Sequence, residues 1–119
     1  MEIYHDKQIN FIEFPSKSAG DLAAAKKFYS EVFGWSFQDW GDDYSDTRAS
    51  GVACGINAGA SHRPAAPLAI IYVTGLTQAR EKVMSAGGKI SREIFSFPGG
   101  KRFHYIDPAG NELAVWSDK

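Results

Sequence analysis

One order of elements occurs twice along this chain, and that internal duplication restricts its possible folds more than any other feature. In the first half, Ile9-Asn10-Phe11-Ile12-Glu13-Phe14 is rich in β-branched and aromatic residues and stops at Pro15, which predicts a strand. Asp21 then offers an N-cap, Leu22, Ala25, Phe28, Tyr29, Val32 and Phe33 recur at helical spacing, and Gly34 supplies a stop. The spacing predicts an amphipathic helix. Trp35 to Trp40 alternates with period two, Gly41-Asp42-Asp43 is turn chemistry, and Tyr44 to Ala49 and Val52 to Asn57 are further extended runs. The second half starts again with Leu68 to Val73 as a strand, and Leu76, Ala79, Val83 and Met84 form a helical stripe that ends at Gly87-Gly88. Lys89 to Phe97, Lys101 to Ile106 and Leu113 to Trp116 complete it, separated by Pro98-Gly99-Gly100 and Asp107-Pro108-Ala109-Gly110-Asn111. Laying Asp21-Leu22 on Gly75-Leu76 brings Ala25 onto Ala79 and Gly34 onto Gly88.

Each half therefore reads βαβββ. The expected fold is α+β: two tandem βαβββ units forming a cupped antiparallel sheet with helices outside, the cup suited to a small ligand. The units are expected at about 9–57 and 68–117, joined by a connector at 58–67 that has glycine and proline punctuation and no periodicity. A chain of 119 residues fits one domain with a real core, so 1–119 is taken as a single domain.

Charge and cysteine content narrow the function classes. A formal net charge of -1 gives no electrostatic reason to expect nucleic acid or an anionic membrane as partner. Cys54 is the sole cysteine, so no intrachain disulfide forms and the cytoplasm is the expected location. The first residues lack the basic-then-apolar plan of a signal peptide, and no apolar run approaches a membrane span.

Three phrases carry a narrower likeness. Asp21-Leu22 with Phe28-Tyr29-Ser30-Glu31-Val32-Phe33-Gly34-Trp35, Gly75-Leu76 through Gly87-Gly88, and the turn Asp107-Pro108-Ala109-Gly110-Asn111 together resemble the glyoxalase/bleomycin resistance/extradiol dioxygenase (vicinal oxygen chelate) superfamily over about Ile9 to Trp116. In that resemblance the Phe28-Tyr29 pair is helix core, and Asp107, Pro108 and Gly110 respectively start the last turn, preset φ and take a positive φ. The resemblance implies a homodimer. It also implies, in metal-dependent members, a divalent ion held by His, Gln or Glu on the first, fourth, fifth and eighth strands. By the family's spacing those positions fall here on Phe11, Leu68 and Ala114, while the fourth strand offers only Cys54. The family's usual metal site is not expected and no cofactor is predicted, a divalent ion at shifted positions (Glu13, Glu112, His104) being the disfavoured alternative.

The polar residues give the candidate site. Strand side chains alternate, so Glu13 shares a face with Phe11, and Glu112 with Ala114. A carboxylate in an apolar strand needs a partner, and Glu13 is either a general base or ligand anchor, or a structural residue bonded to backbone or arginine. His104, three residues before Asp107, is the best catalytic candidate because imidazole titrates near neutrality; the competing reading is a packed, satisfied histidine. Arg102 shares the His104 face and either clamps a carboxylate or phosphate or pairs with Glu13. Tyr72 and Phe11 are expected to line the ligand site, with Glu112 beside them or serving the turn. Three functions follow: a glyoxalase-like enzyme moving a proton on a small oxygenated metabolite through His104 and Glu13 without the usual metal; a non-catalytic binder of the antibiotic-sequestering type; or a metalloenzyme with shifted ligands.

Overall fold

The structure, a computed structural model, describes residues 4–119. The chain divides into two compact units, residues 11–68 and residues 4–10 with 69–119.

Both units have the predicted element order. The first comprises β1 (Gln8–Pro15, whose residues 8–10 count with the other unit), α1 (Ala19–Phe33), β2 (Gln38–Asp39), β3 (Tyr44–Thr47) and β4 (Ala53–Asn57). The second comprises β5 (Leu68–Tyr72), α2 (Leu76–Ser85), β6 (Lys89–Phe97), β7 (Gly100–Ile106) and β8 (Glu112–Ser117). The strand orders are β2-β3-β4-β1 and β5-β8-β7-β6, so the duplicated sequence gives duplicated topology. The expected antiparallel sheet is mixed at one pair per unit, because β4 runs parallel to β1 and β8 parallel to β5. The helical crossover returns the chain in its starting direction, and two hairpin reversals restore that direction in the strand that lands beside the first.

Three local expectations change. Helix α1 starts before Asp21, because Ser18 is the N-cap: its Oγ accepts the Asp21 N–H at 3.1 Å. Its end is as expected, with Gly34 left-handed at φ 74° and its N–H donating to the Ser30 carbonyl. The predicted Trp35–Trp40 strand shrinks to Gln38–Asp39, closed by the Trp40 N–H donating to the Tyr44 carbonyl at 2.8 Å.

The third change concerns the apolar stripe of α1. Of its residues only Leu22 is buried, while Phe28, Val32 and Phe33 are exposed. Aromatic side chains here pack on one another along the chain instead: Tyr29 stacks on Trp35 at 5.2 Å and meets Phe28 edge-on at 5.2 Å.

The second unit has the better-formed core. Phe103, fully buried, packs with Val73, Leu76 and Val115, and Ile71, Ala79, Val83, Ile90, Ile94 and Tyr105 close around them. Each fully buried side chain of this size contributes about 1.5–3 kcal/mol. The Asp107 turn that joins β7 to β8 has the predicted chemistry: Asp107 Oδ1 accepts the Ala109 and Asn111 N–H groups at 2.8 and 2.9 Å, and Gly110 has φ 91°. Pro98-Gly99 is the predicted hairpin turn between β6 and β7.

Candidate functional site

Backbone register sets which side chains share a face in the second unit. Tyr72 on β5 pairs with Trp116 on β8, Trp116 with Arg102 on β7, and Arg102 with Phe95 on β6. The adjacent row runs Ile70, Ala114, His104, Arg92. Paired residues project to the same side, so Tyr72, Trp116, Arg102, Phe95, Ala114, His104 and Arg92 belong to one face. The opposite face carries Phe103 and Val115 and packs on α2.

His104 is buried at 3% exposure on this face, and its Nδ1 lies 3.6 Å from Glu112 Oε2. Glu112 is not merely a turn residue: Ser91 Oγ donates to the same Oε2 at 2.8 Å, which steadies the carboxylate beside the imidazole. At 3.6 Å the carboxylate is an electrostatic partner, strongest when the imidazole is protonated. The Phe95 ring centre stands 5.8 Å from that of His104.

Arg102 is buried at 6% exposure, with its guanidinium carbon 5.3 Å from the Phe95 centroid and 5.9 Å from that of Phe97. Aromatic stacking of this kind suits a weakly hydrated, planar cation. Tyr72 is buried, its hydroxyl donating to Asp118 Oδ1 at 2.6 Å and its ring 5.1 Å from Trp116. That hydrogen bond raises the Tyr72 pKa and lowers that of Asp118. The Trp116 Nε1–H donates to Asn10 Oδ1 at 3.0 Å. Tyr72 is therefore fixed as a wall of this face and its hydroxyl is engaged.

Glu13 and Phe11 belong to the first unit. Glu13 is buried at 1% exposure; its Oε1 accepts from the Tyr44 hydroxyl at 3.2 Å, and Asn57 Nδ2 lies 3.5 Å from Oε2. Beside it Gly55 pairs with Glu13 in register, and a Cβ on Gly55 would collide with the Tyr44 hydroxyl and stand 2.8 Å from Phe11 Cζ. Phe11 is half-buried and packs with Tyr44 over this glycine. Of the predicted site residues, the structure thus brings His104, Glu112, Arg102 and Tyr72 onto one strand face, and places Glu13 and Phe11 in a carboxylate network of the other unit.

Ser91, Arg92, Tyr44, Asn57 and Phe95 escaped the sequence reading. Only Gly55, an interior strand glycine, hinted at the close approach of Tyr44. His5 and His62 lie outside the helices and strands.

The donors do not make the divalent-ion site of metal-dependent relatives. Leu68 and Ala114, at two of the expected ligand positions, are buried carbon side chains, and Phe11 holds a third. Among the described residues no group of three or more His, Cys, Asp or Glu side chains is arranged to hold an ion. His104 and Glu112 supply two donors only.

Residues 9–115 match the model of the Glyoxalase/Bleomycin resistance protein/Dioxygenase superfamily, and the chain belongs to that family. It is 31% identical over 109 residues to the proposed glyoxylase CFP32 of Mycobacterium bovis and of Mycobacterium tuberculosis, covering 81% of this chain and 41% of each relative. The chain thus spans about two fifths of the length of these relatives. Among solved structures it resembles the Mn(II)-bound glyoxalase of Novosphingobium aromaticivorans, with TM-score 0.67, 21% identity, and coverage of 98% of this chain and 40% of that one. It also resembles a Legionella pneumophila chain described as an NAD-dependent benzaldehyde dehydrogenase, with TM-score 0.73, 14% identity, and coverage of 92% and 98%. At these identities the structural matches establish the α+β glyoxalase fold.

Proposed function

We propose that this chain binds a small oxygenated metabolite against the β5-β8-β7-β6 face and moves a proton on it through His104, without a divalent ion. The observation that carries this reading is the buried His104 imidazole with Glu112 Oε2 3.6 Å from Nδ1. Nδ1 is turned to the carboxylate, so Nε2 is the atom that takes a proton from an acidic C–H or O–H of the ligand and returns it. Glu112, steadied by Ser91, stabilises the imidazolium formed between those two events. Family membership supports a glyoxalase-like role, and the name of CFP32 points the same way. Glu13, buried and hydrogen-bonded, is carried in this reading as a second proton-transfer candidate in the first unit.

Exchange in D2O tests the proposal. Small 2-oxo acids, 2-hydroxy acids and hydroxyaldehydes are incubated with the protein and followed by proton NMR. Protein-dependent deuterium incorporation is expected in at least one, falling by about 10²-fold or more in His104→Gln. No exchange across the panel, or exchange unchanged in His104→Gln, overturns it.

A second reading is a stoichiometric binder, favoured by the buried Arg102 stacked over Phe95 and Phe97, which can hold a ligand without moving a proton. Thermal stabilisation by a panel member with no deuterium exchange would select it. Family likeness and the exposed Phe28, Val32 and Phe33 of α1 support the homodimer as part of either reading, checked by sedimentation equilibrium. No helix among the described residues is long and apolar enough to cross a membrane.

A further inference from the structure

Tyr72 and Trp116 make a two-walled corner on the face that carries His104. Their rings meet at 69° with centres 5.1 Å apart. Each wall is tied from its own polar atom: the Tyr72 hydroxyl donates to Asp118 Oδ1 at 2.6 Å, and the Trp116 indole N–H donates to Asn10 Oδ1 at 3.0 Å. Neither tie involves the ring that fills the corner, so the walls keep their places when that ring leaves.

The ring in the corner is Tyr4. It lies 5.0 Å from Tyr72, tilted by 35°, and 5.0 Å from Trp116, edge-on at 76°. These are the arrangements by which aromatic rings attract one another. Tyr72 and Trp116 are register partners on the ligand face, so Tyr4 covers that face from outside the sheet. It does so from no helix or strand: residues 4–7 precede β1, and Tyr4 is half-buried.

The segment is fastened lightly. Asp6 Oδ1 accepts the Thr74 N–H at 2.9 Å and the Thr74 hydroxyl at 3.4 Å, both residues being exposed, so water competes for each bond. The Lys7 N–H donates to the Tyr72 carbonyl at 2.7 Å. Among the described residues Lys7 is the one non-glycine with a positive φ, at 67°. That backbone disfavours a residue with a Cβ, and such strain persists where surrounding contacts enforce it, typically at ligand clamps and switches. A strained turn and a solvent-exposed latch thus hold an aromatic ring in a corner whose walls are fixed without it.

We infer that residues 4–7 are a displaceable strap, with Tyr4 standing in for a planar aromatic ring of a ligand that binds in the Tyr72–Trp116 corner. The ligand ring enters as Tyr4 leaves. The class of ligand is phenol-like: flat, apolar on its faces and small enough to replace one tyrosine side chain. This subsite goes beyond the proton-transfer reading of His104 and does not depend on it.

The test uses the full chain with phenol as probe and cyclohexanol as the non-planar control, followed by NMR titration. In the wild type, phenol is expected to move the Trp116 indole N–H and the Thr74 amide resonances together, because Asp6 leaves Thr74 when the strap lifts. Opening the strap lowers the apparent affinity of any ligand that needs it open. Phenol is therefore expected to bind Tyr4→Ala at least about tenfold more tightly than the wild type, Asp6→Ala at least about threefold more tightly, and Tyr4→Phe within about threefold. Cyclohexanol is expected to bind each protein at least about threefold more weakly than phenol. Should Tyr4→Ala fail to fold, Asp6→Ala carries the test, because Asp6 is exposed. Wild-type phenol affinity in Asp6→Ala would make Tyr4 a fixed part of the core. Wild-type affinity in Tyr4→Ala would remove the corner as a site, and cyclohexanol bound as tightly as phenol would remove the aromatic class; each result overturns the assignment. His104→Gln is expected to leave phenol affinity within about threefold, and a larger loss would put phenol on the imidazole and overturn it too.

Discussion

The Tyr44 hydroxyl occupies the space beside Gly55 that a side chain at that position would fill, and from there it donates to Glu13 Oε1 at 3.2 Å. Gly55→Ala must therefore push aside the Tyr44 ring, the Phe11 ring, or both. Overpacking of this kind is expected to cost about 1–3 kcal/mol, read as a lower midpoint in urea unfolding at unchanged slope. Wild-type stability in Gly55→Ala would show that the rings move freely.

Tyr44→Phe removes the hydroxyl and keeps the ring. A loss of about 1 kcal/mol is expected, because Glu13 is buried and loses one of its hydrogen-bond donors. Denaturant titration of Tyr44→Phe and Glu13→Gln, singly and together, reads the coupling. Additive losses would mean that the two side chains do not interact in solution.

Phe103→Ala opens the core between α2 and the strands of the second unit. Phe103 has no exposed surface, so a loss of about 3–5 kcal/mol is expected. A drop below 1 kcal/mol by thermal or chemical unfolding would show that this core collapses around the gap.

The last turn makes stability depend on acid. The Asn111 backbone N–H, then its side-chain amide and the Ala109 and Gly110 N–H groups, hold the Asp107 carboxyl below the ordinary aspartate range. A carboxyl with a lower pKa folded than unfolded stabilises the fold above the unfolded value and loses that contribution as pH falls through the folded one. Stability is thus expected to decline below about pH 4, and Asp107→Asn is expected to flatten that decline. Identical acid profiles for the two proteins would place the acid sensitivity at other carboxylates.

Helix α1 offers a local test of capping. Ser18→Ala removes the oxygen that accepts the Asp21 N–H and is expected to cost about 1 kcal/mol. An equal loss in Asp21→Ala alone, with Ser18→Ala neutral, would restore Asp21 as the cap.

Much of the fold was legible in sequence because it rests on local chemistry. Strand runs, the Gly34 stop and the Asp107 turn each depend on residues within a few positions, and the duplication then forced one topology twice. The α1 stripe differs: periodicity shows that Phe28, Val32 and Phe33 share a side of the helix, and only packing decides whether anything covers it. His104 and Arg102 share a face as counting by twos implied, and cross-strand pairing through Trp116 adds Tyr72 to it.

That same counting rule marks what the tertiary structure alone decided. The period of a strand is two only while its register is unbroken, and the register of β6 is set by pairing with β7. By sequence Arg92 belongs with Ile90 and Ile94; the register shifts on either side of it carry it to Phe95 and His104. The chain alone therefore determined the duplicated βαβββ architecture and the carbon side chains of Phe11, Leu68 and Ala114. Cross-strand pairing decided which charges meet at His104, because no local pattern records an extra residue absorbed between two strands.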